Sequence, residues 1–175
     1  MTEKQIKELI DSIIILVDSR EKLPNHITDC FDKYGVNWRK EKLNSGDYSC
    51  VVPPNEKLNF KGIDFREKLC IERKMSADEI SVNLSTNKER FNREFERSNA
   101  DILILIENNS YKDIAKGEYK SKLHPKSFLG LLHSFSDKHN SPFIFLDKEV
   151  SALWIYNTYK YKLKNYLKLM NNKLK

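Results

Sequence analysis

The chain is poor in cysteine: three, Cys30, Cys50 and Cys70, among 175 residues. An odd count with no close spacing and no companion His pair supports neither a disulfide framework nor a zinc site, and it predicts a reducing, intracellular setting. Histidine is scarce too, and His124, His133 and His139 are not spaced like a zinc set. No apolar run approaches the length of a membrane span. The start, Met1-Thr2-Glu3-Lys4-Gln5, has acid but no long apolar signal core, so a soluble, unprocessed protein without membrane contact is expected. Internal repeats and low-complexity linkers are absent, which argues for one domain over residues 1–175 with its core at about 12–170. No residue stands out as a catalytic nucleophile.

What is present is positive charge. Thirty-one Lys and Arg against twenty-five Asp and Glu give a net charge of +6. This favours a polyanionic partner, with nucleic acid the leading candidate. Arg20, Lys22, Arg90, Arg93 and Arg97 are candidates for the DNA backbone, with the last three near one helical face beside Glu94, and residues 112–126 add a second Lys-rich stretch.

Hydrophobic patterning places the elements. Ile13 to Val17 reads as a strand buried on both faces, ending in Asp18-Ser19-Arg20-Glu21. Residues 25–34 predict a short helix with Ile27, Cys30, Phe31 and Tyr34 on one side and Gly35 at its C-terminal cap. Val36 to Leu43 and Tyr48 to Val52 read as two strands of a hairpin with Asn44-Ser45-Gly46-Asp47 at the bend. Pro53 to Arg66 reads as an irregular loop able to touch substrate, and Lys68 to Lys74 as the next strand. Ser76 is a helix N-cap, and Phe91 and Phe95 at i, i+4 are core anchors. Ile102 to Ile106, ending in Glu107, and Pro142 to Leu146 are further strands, separated by a helix over 125–139. A long helix over 150–169 follows, and it either packs on the sheet or forms a dimer seam. The fold class is therefore α/β, a central mixed sheet flanked by helices.

The chemistry concentrates at Glu72-Arg73-Lys74. On a strand, side chains two apart share a face, so Glu72 and Lys74 pair a metal-binding carboxylate with a cation. That pair suits phosphodiester hydrolysis. Asp18, Glu21, Asp47 and Asp78 also follow or interrupt strands, and an all-oxygen donor set suits Mg2+ or Mn2+.

Val17-Asp18-Ser19-Arg20-Glu21, then Gly46-Asp47-Tyr48, then Ile71-Glu72-Arg73-Lys74-Met75-Ser76-Ala77-Asp78 resembles the XPF-type structure-specific nuclease domain, a branch of the PD-(D/E)xK superfamily with the pattern GD, a gap, then ERKxxxD. The resemblance implies a restriction-endonuclease-like core and divalent-metal-dependent endonuclease action on branched, flap or fork DNA. It makes Asp47 and Glu72 the principal metal ligands, with Asp18 as a further metal-site acid and Glu21 lining the same cleft. Lys74 becomes the catalytic lysine. Arg73 and Asp78 would order the motif and contact DNA, together with Arg20 and Arg90. Many relatives dimerise through the nuclease domain and carry a helix-hairpin-helix or helicase domain that this sequence lacks, so a homodimer through the C-terminal helices and a protein partner supplying DNA-structure specificity are both expected. The rivals are a non-catalytic DNA-binding subunit with the same fold and an α/β interaction module for RNA or protein.

Overall fold

The structure, a computed structural model, describes residues 1–22 and 24–173. Thr2 caps α1 (Glu3–Asp11) by accepting from the Gln5 amide while the Gln5 side chain returns the bond. This helix, with buried Ile6, Leu9 and Ile10, lies outside the expected core limits, yet Leu9 is wholly buried. Strand β1 (Ile14–Asp18) and helix α2 (Asn25–Lys33) follow. Gly35 takes the left-handed conformation just past α2, and Ile27 and Phe31 face inward as expected. Tyr34, expected on the apolar side, is 69% exposed because the helix has already ended.

The expected hairpin does not form. Strands β2 (Asn37–Glu41) and β3 (Tyr48–Val52) lie on opposite sides of β1, β2 parallel to it and β3 antiparallel. Burial explains the choice: β1 and β3 are almost wholly buried and need neighbours on both sides, while the largely exposed β2 tolerates an edge. The segment expected as a loop is ordered as a 3-10 turn (Glu56–Leu58) and β4 (Ile63–Asp64), which pairs with the end of β3. Its Asn55 Nδ2 donates to Glu8 of α1 at 2.9 Å, so the turn lies at the opposite end of β3 from Asp47.

β5 (Leu69–Lys74) pairs with β3, and after α3 (Ala77–Leu84) and α4 (Lys88–Glu96) come β6 (Asp101–Glu107), α5 (Tyr111–Lys116), α6 (Pro125–His139), β7 (Phe143–Leu146) and α7 (Lys148–Lys173). The path across the sheet is β2-β1-β3-β5-β6-β7. Among the described residues only β3 runs against the other strands. The C-terminal ends of β1, β5 and β6 therefore lie at one edge, beside the start of β3, the usual location for a site in an α/β sheet.

Two cores sandwich the sheet. α1, α2 and α7 cover one face through Leu9, Ile27, Phe31, Ile155, Tyr159 and Leu163, and the Tyr159 hydroxyl donates to the Tyr48 carbonyl at 2.9 Å. α3 to α6 cover the other, where Phe91 stacks on Phe135 at 4.8 Å and meets Phe95 edge-on. The last helix thus packs on the sheet through Ile155, Tyr159, Leu163 and Leu167, while Tyr166 faces solvent. Among the described residues no helix is long and apolar enough to cross a membrane. The cysteines are free, and burial pushes the Cys70 thiol up to about 12.

The turn into β3 requires Gly46. Its φ is +66°, and a Cβ there would lie 2.8 Å from the Cys70 Cβ and 3.0 Å from the Ile71 carbonyl oxygen. Gly46→Ala should cost about 1–3 kcal/mol from the left-handed backbone alone, and more from displacing β5. A thermal melt reads this as about 2–4 °C lost per kcal/mol, and an unchanged midpoint would remove the argument.

Candidate active site

Asp47 is fixed by backbone bonds before its side chain does anything. Its amide donates to the Ile71 carbonyl and its carbonyl accepts from the Asp18 amide, both at 2.8 Å, so it bridges β1 and β5. Its Oδ2 accepts the Arg73 amide at 2.7 Å. Glu72, one residue before that amide, points to the α3–α4 face, where its Oε1 accepts from Lys74 Nζ at 2.6 Å. The expected shared face of Glu72 and Lys74 is therefore present. Lys74 Nζ also lies 3.7 Å from Glu79 and 5.4 Å from the centre of the Phe91 ring.

Asp18, Arg20, Asp47, Glu72 and Arg90 line one cleft of about 340 Å³, together with Asn44, Glu94 and Arg97. An adjoining pocket on the other side of Asp47 is lined by Glu21, Lys22, Arg73, Lys74 and Glu79. Burial, then repulsion from Glu72 and Glu21, raises the Asp47 carboxyl well above the usual aspartate range. Burial alone would pull the Lys74 ammonium down, but Glu72 and Asp47 outweigh it and leave Lys74 above the ordinary lysine value. Lys74 is thus a cation at neutral pH rather than a base. Burial also raises Glu21, against the opposing pull of Arg73.

The other expected residues have different surroundings. Asp18 is buried with both oxygens engaged: Oδ1 by the Arg20 amide at 2.6 Å and Nε at 2.9 Å, Oδ2 by Arg20 Nη2 at 2.7 Å and the Leu43 amide at 3.0 Å. Burial pushes its carboxyl up, but these bonds outweigh it and hold it below the normal value. Arg73 points to the opposite face from Glu72, its side chain 3% exposed, with Nε on Glu107 Oε2 at 3.0 Å and Nη1 on Glu21. That burial leaves no guanidinium for DNA and corrects the expected contact. Asp78 is likewise turned from the cleft, its Oδ1 accepting the Lys120 and Ser121 amides at 2.7 Å each. Arg90 and Arg97 do reach the cleft, but Arg93 lines a separate groove between α4 and α6.

Several site residues were missed. Glu107 is buried and links Arg73 to His26, whose Nε2 is 2.9 Å from Glu107 Oε1. As the polar end of an apolar strand it carried the same signal as Asp18, whereas His26, eighty-one residues away, carried none. Glu79 follows the motif directly and holds the Met75 amide at 2.8 Å. Tyr48 is wholly buried because β3 is central, and its hydroxyl has no hydrogen-bond partner among the described residues.

Among the described residues no three His, Cys, Asp or Glu side chains form a ready metal-binding group. A hard cation that keeps several waters needs only one or two carboxylates. Asp47 and Glu72 fit that need. They line one cleft, repel one another, and leave Asp47 Oδ1 and Glu72 Oε2 without hydrogen bonds among the described residues.

This mixed sheet, with its acids gathered where β1, β3 and β5 meet, is the α/β core of an XPF-type nuclease domain. The chain belongs to the ERCC4 domain family, whose model matches residues 17–158. Among solved structures it is similar to XPF from Aeropyrum pernix, with a TM-score of 0.62 and 16% identity over 90% of this chain and 69% of that one. It is also similar to XPF from Aeropyrum pernix in complex with DNA, with a TM-score of 0.59 and 16% identity over 89% of this chain and 64% of that one. No curated protein sequence matches it.

The Asp47 environment sets a pH test. Because its folded pKa lies above the unfolded value of about 3.9, the associated stability is complete below that value and is lost as pH rises through the folded pKa. Asp47→Asn keeps an acceptor for the Arg73 amide and never ionises. In metal-free buffer it should melt a few degrees above wild type at pH 8, at about 2–4 °C per kcal/mol, with the gap closing near pH 4. A gap that widens toward acid would reverse the reading.

Proposed function

We propose that the chain is a divalent-metal-dependent endodeoxyribonuclease that cuts DNA phosphodiesters at branched, flap or fork structures inside the cell. The observation that carries this reading is that Asp47 and Glu72 share one cleft with Arg20 and Arg90, while Lys74, in the pocket that adjoins it at Asp47, donates to Glu72 at 2.6 Å. Asp47 and Glu72 would hold Mg2+ or Mn2+ through their unbonded oxygens. When bound, such an ion supplies a water of lowered pKa and neutralises charge on the scissile phosphate.

The remaining work falls to the chain's own groups. Lys74, charged and anchored by Glu72, Glu79 and the Phe91 face, donates hydrogen bonds to oxygens of the reacting phosphate. Arg73 acts from behind the sheet as a positioning residue: its amide orients Asp47 and its guanidinium holds Glu21 and Glu107. Glu21 adds negative charge beside Asp47. Asp18, with its oxygens spent on Arg20 and Leu43, keeps Arg20 at the cleft rim rather than adding a third metal ligand. Arg20 and Arg90 meet backbone phosphates.

The reading includes a homodimer, since α7 leaves Leu153, Tyr161 and Leu169 more than half exposed along its outer face. Sedimentation at tens of micromolar should give a dimer, and a monomer there would remove that part. For activity, wild type should cut labelled flap and fork DNA with Mg2+ or Mn2+ and not with chelator. Asp47→Asn, Glu72→Gln and Lys74→Met should each lose at least about 10²-fold in rate, and Mn2+ should raise the melting temperature of wild type but not of Asp47→Asn. Equal cleavage by wild type and variants would sink the assignment. Metal-independent binding without cleavage by wild type would favour the non-catalytic DNA-binding subunit.

A further inference from the structure

The connection between α5 and α6 is held from across the fold by a motif residue. Asp78 Oδ1, in the first turn of α3, accepts the consecutive amides of Lys120 and Ser121 at 2.7 Å each. The Tyr119 hydroxyl closes the loop by donating to the Leu123 carbonyl at 2.7 Å, and its ring packs edge-on against Phe128 at 5.2 Å. The Leu123 amide donates to Ser121 Oγ at 3.3 Å. Two neighbouring amides on one carboxylate oxygen fix both the position and the register of the segment, so its side chains project from a built platform.

That platform presents positive charge. Lys120 and Lys122 are exposed, and neither pairs with an acid among the described residues. They border an open groove of about 740 Å³ whose other wall is Ser81, Val82, Ser85 and Thr86. The surrounding stretch adds Lys112, Lys116 and Lys126 against Asp113 and Glu118 only. The loop also stands near the cleft. Asp78 is four residues beyond Lys74, so the two are separated by at most about 14 Å of chain, the rise of about four base pairs.

We propose that this Asp78-docked loop is a second phosphate-binding surface, which takes the DNA backbone beyond the cleft through Lys120 and Lys122. The proposal rests on the reading of the chain as a DNA-acting protein. Lysine ammonium groups on a fixed loop bind phosphate as point charges and release counterions without reading bases, so the surface adds affinity and register but no sequence preference. Asp78 acts by holding the loop, its Oδ1 engaged by two amides.

The test is fluorescence anisotropy with a labelled forked DNA in chelator, so that binding is read without cleavage, at salt from about 50 to 300 mM. Lys120→Ala/Lys122→Ala should bind roughly tenfold more weakly near 0.15 M salt, with the slope of log K against log salt reduced by about 2. Asp78→Ala should weaken binding in the same direction, while Asp78→Asn, which keeps an acceptor oxygen, should stay near wild type. Circular dichroism checks that Asp78→Ala is folded, and the surface lysine variant carries the test if it is not. A double-lysine variant with wild-type affinity and slope overturns the proposal, and if wild type still cuts DNA the proposed activity survives it. A wild type that binds no DNA at any salt overturns both. Loss of polyglutamate binding with DNA binding unchanged would assign the loop to an acidic protein partner and overturn the proposal.

Discussion

Everything in the cleft depends on the close approach of residue 46 to β5. Because Gly46 has no side chain, the turn settles against Cys70 and Ile71, and Asp47 can bond to β5 through its amide and to β1 through its carbonyl. A carboxylate on an ordinary turn would swing over several ångströms. Here it is held by the same ladder that holds the sheet, and the Arg73 amide fixes the side chain as well. Such a site spends no further entropy on organising itself when substrate arrives.

The strand β5 then does two jobs by parity. Glu72 and Lys74 face the cleft side, while Arg73 faces the other core and joins Glu21 and Glu107 in a buried ionic cluster, with His26 in hydrogen-bond contact with Glu107. Removing one member of a buried pair leaves a charge without a partner and costs about 3–5 kcal/mol, so the cluster locks the end of β5 to β6 and to the segment after β1. The cleft side accepts the opposite condition. Asp47, Glu72 and Glu21 repel one another, and the site carries that penalty in the absence of a cation. Rigid support behind and electrostatic strain in front would suit the metal-dependent hydrolytic centre proposed above.

Positive groups are arranged around this negative centre. Arg20, Arg90 and Arg97 line the cleft itself. Lys120 and Lys122 stand on the loop that Asp78 docks against the start of α3. On the proposed reading the motif's last acid serves binding at one remove, through the backbone amides it holds, and its carboxylate has no need to meet a phosphate.

The apolar runs of β1, β5 and β6, the Ser76 cap, the Phe91 and Phe95 anchors and the alternation of Glu72 with Lys74 follow from the sequence alone, because each is decided by neighbours within one turn or one pleat. Membership of the nuclease family was legible for the same reason, since its three blocks are local strings. The insertion of β1 between β2 and β3, the commitment of Arg73 to Glu107, the engagement of Asp18 by Arg20 and Leu43, and the capture of the 119–123 loop by Asp78 were decided only in three dimensions. Strand order depends on which strands must be covered on both sides, and a buried charge takes the partner that the packed sheet brings to it. Local patterning set which residues would become strand and which would carry charge, while burial chose the partner each charge received.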